Sequence, residues 1–256
     1  MNGRRLGLSS GSLPDAGAAE LAAATARAGG GTVDLRTGKG HAWERDGVAR
    51  GIRQVTAAGV EVAFVGCGAR AGRTEIGRGA RAGETEVGRG ARAGETGVGR
   101  GGGAGLELPV TGHPVKVFCV PEPDPATLAG QVRAAADQGV ALWVETHQGG
   151  PSCRRLAQLA EVTGIGVVVD LLGVAATGGA DAATLARLAP HVRAVQVKGF
   201  RRDAGGAYRH RALRAADLEP VEALLSSGAP IRAITVESRA GTAVDDLRML
   251  AKWEAR

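Results

Sequence analysis

Short apolar runs, each followed by a helical stretch, recur along this chain, and their spacing constrains the fold more than any other feature. Leu6–Ser9, Thr32–Arg36, Val60–Val65, Pro114–Val120, Leu142–Glu145, Val167–Asp170, Val192–Lys198 and Ile231–Glu237 read as eight strands. Helical patterns follow seven of them, at Asp15–Ala28, Val48–Ala58, Thr127–Gln138, Arg154–Val162, Ala182–Leu188, Leu218–Leu225 and Ala243–Trp253. Gly29, Gly139, Gly164 and Gly228 stand where helices should stop, and Pro14-Asp15 where one should start. Strands alternating with helices imply parallel βαβ units, and eight such units in 256 residues predict one domain, a (β/α)8 TIM barrel. An open doubly wound sheet is the alternative. No Gly-x-Gly-x-x-Gly follows the first strand and no phosphate-binding loop sequence occurs, so a nucleotide-type crevice has no support.

The place of the third helix is taken by three tandem 11-residue units, Gly68 to Arg78, Gly79 to Arg89 and Gly90 to Arg100. Each unit offers a single Ile or Val among several glycines, too little apolar surface to offset the entropy of ordering. A low-complexity insertion over 68–105, looped rather than helical, is therefore expected within the single domain, on the face where the strands end. The segment 68–100 holds seven Arg and four Glu, so it supplies +3 of the net charge of +6. Half the basic excess thus sits in one unusual stretch, and the charge is a weak argument for a nucleic-acid partner.

Aromatic residues make up only 3% of the chain while Ala, Val and Leu abound, which suits helices packed closely on a parallel sheet. No apolar run reaches the ~20 residues of a membrane span, and the first residues do not read as a signal peptide. A cytoplasmic protein is expected, with no membrane or nucleic-acid partner. Cys67, Cys119 and Cys153 are odd in number and scattered, which indicates neither a disulfide framework nor a zinc knuckle.

Four of the strands end in polar residues: Val144-Glu145-Thr146-His147, Val169-Asp170, Val195-Gln196-Val197-Lys198 and Val236-Glu237. An ionisable group in a strand buried on both faces is costly unless paired or bound to a metal. Side chains alternate across a strand, so Glu145 and His147 share a face with Trp143, Asp170 with Val168, Gln196 with Lys198, and Glu237 with Thr235. All of these can point into the mouth of a barrel, where TIM-barrel chemistry is done. Ion pairing of the carboxylates with Lys198 or Arg36 is the structural alternative to a metal site.

This series of strand ends resembles the xylose isomerase-like TIM barrels, the sugar phosphate isomerase/epimerase superfamily, and the resemblance runs from Leu6 to Trp253. It implies that Glu145, Asp170, the position of Gln196, and Glu237 hold one divalent metal, and that Glu145 and Glu237 also move protons. It further implies substrate-binding roles at Arg36, on strand two, and at Arg202, six residues after Gln196. The family pattern at strand seven is His-Val-Lys-Asp, whereas this chain reads Gln196-Val197-Lys198-Gly199. A Gln offers a neutral carbonyl oxygen in place of imidazole, so an all-oxygen set favours Mn²⁺ or Mg²⁺ over Zn²⁺; otherwise the metal is lost.

A metal at this place would polarise a carbonyl and lower the pKa of the adjacent C–H, while one Glu removes a proton and the other returns it through a metal-stabilised enediolate. Lys198, Arg202, Arg36 and His147 are the candidate substrate-binding groups. The expectation is an isomerase or epimerase acting on a small sugar, sugar phosphate or hydroxy-keto compound, with a second copy in a homodimer as the other partner considered. A lyase or dehydratase, and a metal-free ligand-binding barrel, are the alternatives. A three-metal endonuclease of the same scaffold would need a histidine cluster that His41, His113, His147, His191 and His210 do not supply.

Overall fold

The structure is a computed structural model, and it describes residues 5–73 and 106–256. The elements run in the order β1 (Arg5–Ser9), α1 (Ala18–Arg27), β2 (Thr32–Arg36), α2 (Val48–Ala57), β3 (Glu61–Ala71), β4 (Val115–Cys119), α3 (Pro125–Asp137) and β5 (Leu142–Glu145). They continue with α4 (Cys153–Thr163), β6 (Gly166–Asp170), α5 (Leu171–Ala176), α6 (Ala182–Leu188), β7 (Val192–Val197), β8 (Gly199–Arg202) and β9 (Tyr208–Arg211). α7 (Glu219–Ser226), β10 (Ala233–Val236) and α8 (Ala243–Glu254) complete the chain. Eight strands, β1 to β7 and β10, pair in parallel and close with β10 beside β1, which makes the expected TIM barrel. β8 and β9 form a separate antiparallel hairpin, which the alternating pattern did not foretell.

Local chemistry sets the helix boundaries. Asp124 caps α3, its carboxylate accepting from the Thr127 N–H at 2.8 Å, with Pro125 in the first turn; Ser152 caps α4, and Gly164, at φ 71°, ends it. Two further differences from expectation go beyond shifts of one to three residues at element ends. β3 continues to Ala71 because, after an irregularity between Gly66 and Arg70, Arg70 and Ala71 pair with Phe118 and Cys119 of β4. The first residues of the tandem repeat are therefore strand. The remainder of the expected loop, with the replacement of the third helix, lies outside the described residues. The second difference is α5, a short helix that begins directly at the end of β6 and is capped by Asp170, whose Oδ1 accepts from the Gly173 N–H at 2.9 Å.

Two apolar layers hold the barrel. The outer one lies between sheet and helices, with Leu21, Val55, Leu128, Leu156, Leu188, Leu224 and Leu247 buried against the outward faces of the strands. The inner one is a plug of Phe64, Trp143, Val168, Ala194 and Ala233, in which the Phe64 and Trp143 rings pack at 5.9 Å between centroids. Trp143 is thus core. Cys119 and Cys153 are buried, Cys67 is half-buried, and all three are free thiols. Among the described residues no helix is long and apolar enough to cross a membrane.

Close approach of β1 to β2 depends on a residue without a side chain. A Cβ at Gly7 would lie 1.7 Å from the Thr32 carbonyl oxygen, so the strands must separate to admit one. Gly7→Ala is expected to lower stability by about 2–3 kcal/mol, the usual scale for overpacking a close-packed interior, read as a reduced midpoint in urea unfolding with an unchanged slope.

Candidate active site

Moving up the barrel interior from the apolar plug, the next inward-pointing residues are polar. Asp34 of β2 is fully buried and accepts hydrogen bonds from Ser9 Oγ (2.7 Å), Thr235 Oγ1 (2.5 Å) and Gln196 Nε2 (3.2 Å). Burial pushes its carboxyl above the ordinary range, as does nearby Glu237, while the Thr235 and Ser9 hydroxyls pull the other way. The Gln196 amide is oriented by that contact, since its nitrogen must face the carboxylate. Its carbonyl oxygen is buried and has no hydrogen-bond partner among the described residues.

Above this layer, at the C-terminal ends of β5, β6 and β10, the carboxylates of Glu145, Asp170 and Glu237 converge, with one oxygen from each lying within 4.8 Å of the others. All three side chains are buried. Each carries a cationic partner: Lys116 of β4 donates to Glu145, Lys198 to Asp170, and Arg36 of β2 to Glu237. Lys198 Nζ also lies 3.4 Å from Glu237 Oε2. Gln196 is in register with Asp170 on one side and Thr235 on the other, which sets it at the lower rim of the cluster.

The carboxylates do not share one electrostatic environment. For Glu145, burial raises the carboxyl and Lys116 lowers it, but Asp170 and Glu237 add to the rise, and it ends above the ordinary range. For Glu237, burial also raises the carboxyl, yet Lys198, Arg36 and Lys116 outweigh it and hold the group down to about 2. Lys198 is kept charged, because Asp170 and Glu237 more than offset the cost of its burial, and Arg36 likewise by Glu237, Glu145 and Asp34. Two glycines make room for these cations. A Cβ at Gly66 would sit 2.8 Å from Lys116 Cε, and one at Gly11 would sit 3.1 Å from Arg36 Cδ.

Of the residues expected from the sequence, Glu145, Asp170 and Glu237 come together with Lys198 and Arg36 between them, and Gln196 lies alongside. His147 stands beside the cluster: its Nδ1 is 3.1 Å from the Glu145 carbonyl oxygen, its ring packs on Phe118 at 4.7 Å, and its Nε2 is buried without a hydrogen-bond partner among the described residues. Burial lowers its pKa. Arg202 is outside the cluster. It is exposed on the β8–β9 hairpin, where it stacks on Tyr208 and donates to its hydroxyl at 2.8 Å. Two residues of the site were missed, Asp34 and Lys116. Both carried the signal used elsewhere, an ionisable residue inside an apolar strand, in Thr32-Val33-Asp34-Leu35 and Val115-Lys116-Val117.

Solved structures share this architecture from end to end. A IolI protein with a bound zinc atom superposes with a TM-score of 0.64 at 11% identity, over 98% of this chain and 96% of that one. This is the xylose isomerase-like TIM barrel fold. Two other xylose isomerase-like barrels show its range. The probable 3-DHS dehydratase AsbF of Bacillus anthracis matches with a TM-score of 0.62 and 11% identity, covering 99% of each chain. The D-psicose 3-epimerase of Clostridium cellulolyticum H10 matches with 0.57 and 10%, covering 95% of this chain and 89% of the other. No protein-family model matches the sequence, and no curated protein does.

The donor set of this xylose isomerase-like barrel fits a divalent cation. Three buried carboxylates present one oxygen each within a single small volume, and the orphaned Gln196 Oε1 beside them is a buried acceptor in want of a partner. The charge balance predicts a pH effect. A carboxyl held near 2 in the folded protein against an ordinary 4.5 contributes stability that is present above pH ~4.5 and lost as the pH falls toward 2. The difference in unfolding free energy between wild type and Glu237→Gln, followed by urea titration, should therefore shrink by about 3 kcal/mol over that interval.

Proposed function

We propose that the protein is a metal-dependent isomerase or epimerase acting on a small sugar, sugar phosphate or hydroxy-keto compound by carboxylate-mediated proton transfer. The observation that carries this reading is the convergence of the buried carboxylates of Glu145, Asp170 and Glu237 at the barrel mouth. A divalent cation, Mn²⁺ or Mg²⁺ in preference to Zn²⁺ on an all-oxygen donor set, would be held by Glu145, Asp170, Gln196 and Glu237 and would supply Lewis-acid polarisation of a carbonyl and its neighbouring hydroxyl.

The protein's own groups divide the proton work. Glu237, held ionised by Lys198 and Arg36, is the base that takes a proton from carbon. Glu145, raised by burial, is the group that returns one from the other side. In the reverse direction the roles exchange. Lys198 and Arg36, both charged and buried in the cluster, bind the oxygens of the substrate and stabilise the negative charge of the enediolate. His147 offers its Nε2 at the edge of the site, and Arg202, outside the cluster on the hairpin, would contact only a substrate that extends beyond it. Known epimerases of the fold, such as the D-psicose 3-epimerase and an L-ribulose 3-epimerase, support a small polyhydroxy ketose as substrate.

Dehydration is the second reading, favoured by the raised carboxyl of Glu145. A carboxyl shifted upward takes up and gives back a proton more readily, so Glu145 is the group that would protonate a departing hydroxyl β to the carbonyl after Glu237 has removed the C–H proton. The fold shared with a probable 3-DHS dehydratase agrees with it.

Incubation with a panel of ketoses and keto-polyols in deuterated water, with Mn²⁺ or Mg²⁺ added, tests both. Solvent deuterium should enter a substrate C–H, and loss of water with a new conjugated-carbonyl absorbance would select the dehydratase. Glu145→Gln and Glu237→Gln should each slow exchange by about 10²–10⁴-fold with the fold retained by circular dichroism, while their thermal midpoints fall because a buried cation loses its partner. Absence of bound metal together with absence of exchange would refute both readings.

A further inference from the structure

One buried cation of the site has no part in the proton transfers above. Lys116 is 1% exposed, the second residue of β4, and its ammonium group is held on the Glu145 carboxylate. Among the described residues Glu145 is its one salt-bridge partner. The side chain is fitted into place: its stem passes over Gly66, where a Cβ would stand 2.8 Å from Cε, and its Nζ lies 5.1 Å from the centroid of the Phe118 ring. Gly66 therefore provides a slot for this lysine. With Arg36 on Glu237 and Lys198 on Asp170, it brings the three carboxylates to charge balance using the chain's own cations.

We infer that Lys116 sets the metal affinity of this site. It is an internal counter-ion that occupies Glu145 in the metal-free protein and has to leave that carboxylate before a divalent cation is bound. The inference rests on the reading of Glu145, Asp170 and Glu237 as metal ligands. An ammonium and a divalent cation cannot both take full benefit of the same carboxylate, and two like charges gathered in a low-dielectric pocket repel strongly. Displacement moves charge and requires no proton transfer. The ring of Phe118 already lies beside the ammonium while it stands on Glu145, a contact that does not depend on that carboxylate. Metal binding in this protein is therefore an exchange of cations, weaker than the same donors would give without the lysine, and the metal is a readily removed one.

Calorimetric titration of the chelator-treated full chain with Mn²⁺, alongside thermal unfolding with and without the ion, tests this. Lys116→Met should bind Mn²⁺ at least tenfold more tightly than wild type. Without metal it should unfold at a lower temperature, because Glu145 is left buried and unpaired, and it should gain more from Mn²⁺ than wild type does. Lys116→Gln, which keeps a hydrogen-bond donor for Glu145 while removing the charge, serves where the Met variant does not fold and should show the same tightening. Lys252→Gln, an equal charge change at an exposed position in α8, should leave affinity unchanged. Equal affinity in wild type and both Lys116 variants overturns the inference and leaves the metal reading intact. Absence of Mn²⁺ binding in all of the proteins overturns the metal reading and this inference with it.

Discussion

Three carboxylates buried at the top of a barrel impose the condition that the rest of the site satisfies. An unpaired ionised carboxylate in such a place costs several kcal/mol, more than a domain of this size can spare several times over. The chain meets that condition locally, with Lys116 and Lys198 brought to a carboxylate from the neighbouring strand and Arg36 from the next but one. Removing any one of these six groups leaves a buried charge unmatched, so the site is a single electrostatic unit. Its members should therefore show strongly non-additive effects when substituted together.

The layers beneath the cluster give it a fixed floor. Phe64, Trp143, Val168, Ala194 and Ala233 fill the lower barrel and exclude water. Asp34, with donors from Ser9, Thr235 and Gln196, forms a polar layer on that plug and determines which way the Gln196 amide turns. The reactive groups of the proposal thus rest on strands held by packing and by hydrogen bonds. Gly66 and Gly11 adapt the same scaffold to two long cations, which a barrel of β-branched residues alone would not admit.

Likeness to solved structures at 10–16% identity extends over nearly the whole chain, and it shows the fold. Chemistry on that fold is a matter of the site. Here Gln196 on strand seven is a neutral amide turned toward Asp34, and a lysine on strand four reaches Glu145. On the proposed reading both features would lower the pull of the site on a soft, nitrogen-seeking metal. The opposite pKa shifts of Glu145 and Glu237 have another source: burial raises both carboxyls, but Lys198 and Arg36 stand on Glu237, while Glu145 lies beside the charges of Asp170 and Glu237.

Much of this could be read from the chain alone. The repeated strand and helix patterns determined the barrel, because parallel strands buried on both faces need continuous apolar runs and the connections between them need helices. Alternation along each strand determined that Glu145, Asp170, Gln196, Lys198 and Glu237 point inward. Asp34 and Lys116 were legible by the same rule but lie in the first half of the chain, away from the polar strand ends. Tertiary structure alone decided the pairings. Which cation reaches which carboxylate depends on strand order around the closed barrel and on register, and neither has a local signal. The extension of β3 to Ala71 is likewise set by pairing between distant residues, whereas the β8–β9 hairpin that carries Arg202 away from the cluster is a local pairing that the alternating pattern did not reveal. Periodicity along a chain reports which face of a strand is buried; only closure of the sheet brings residues from different strands within bonding distance.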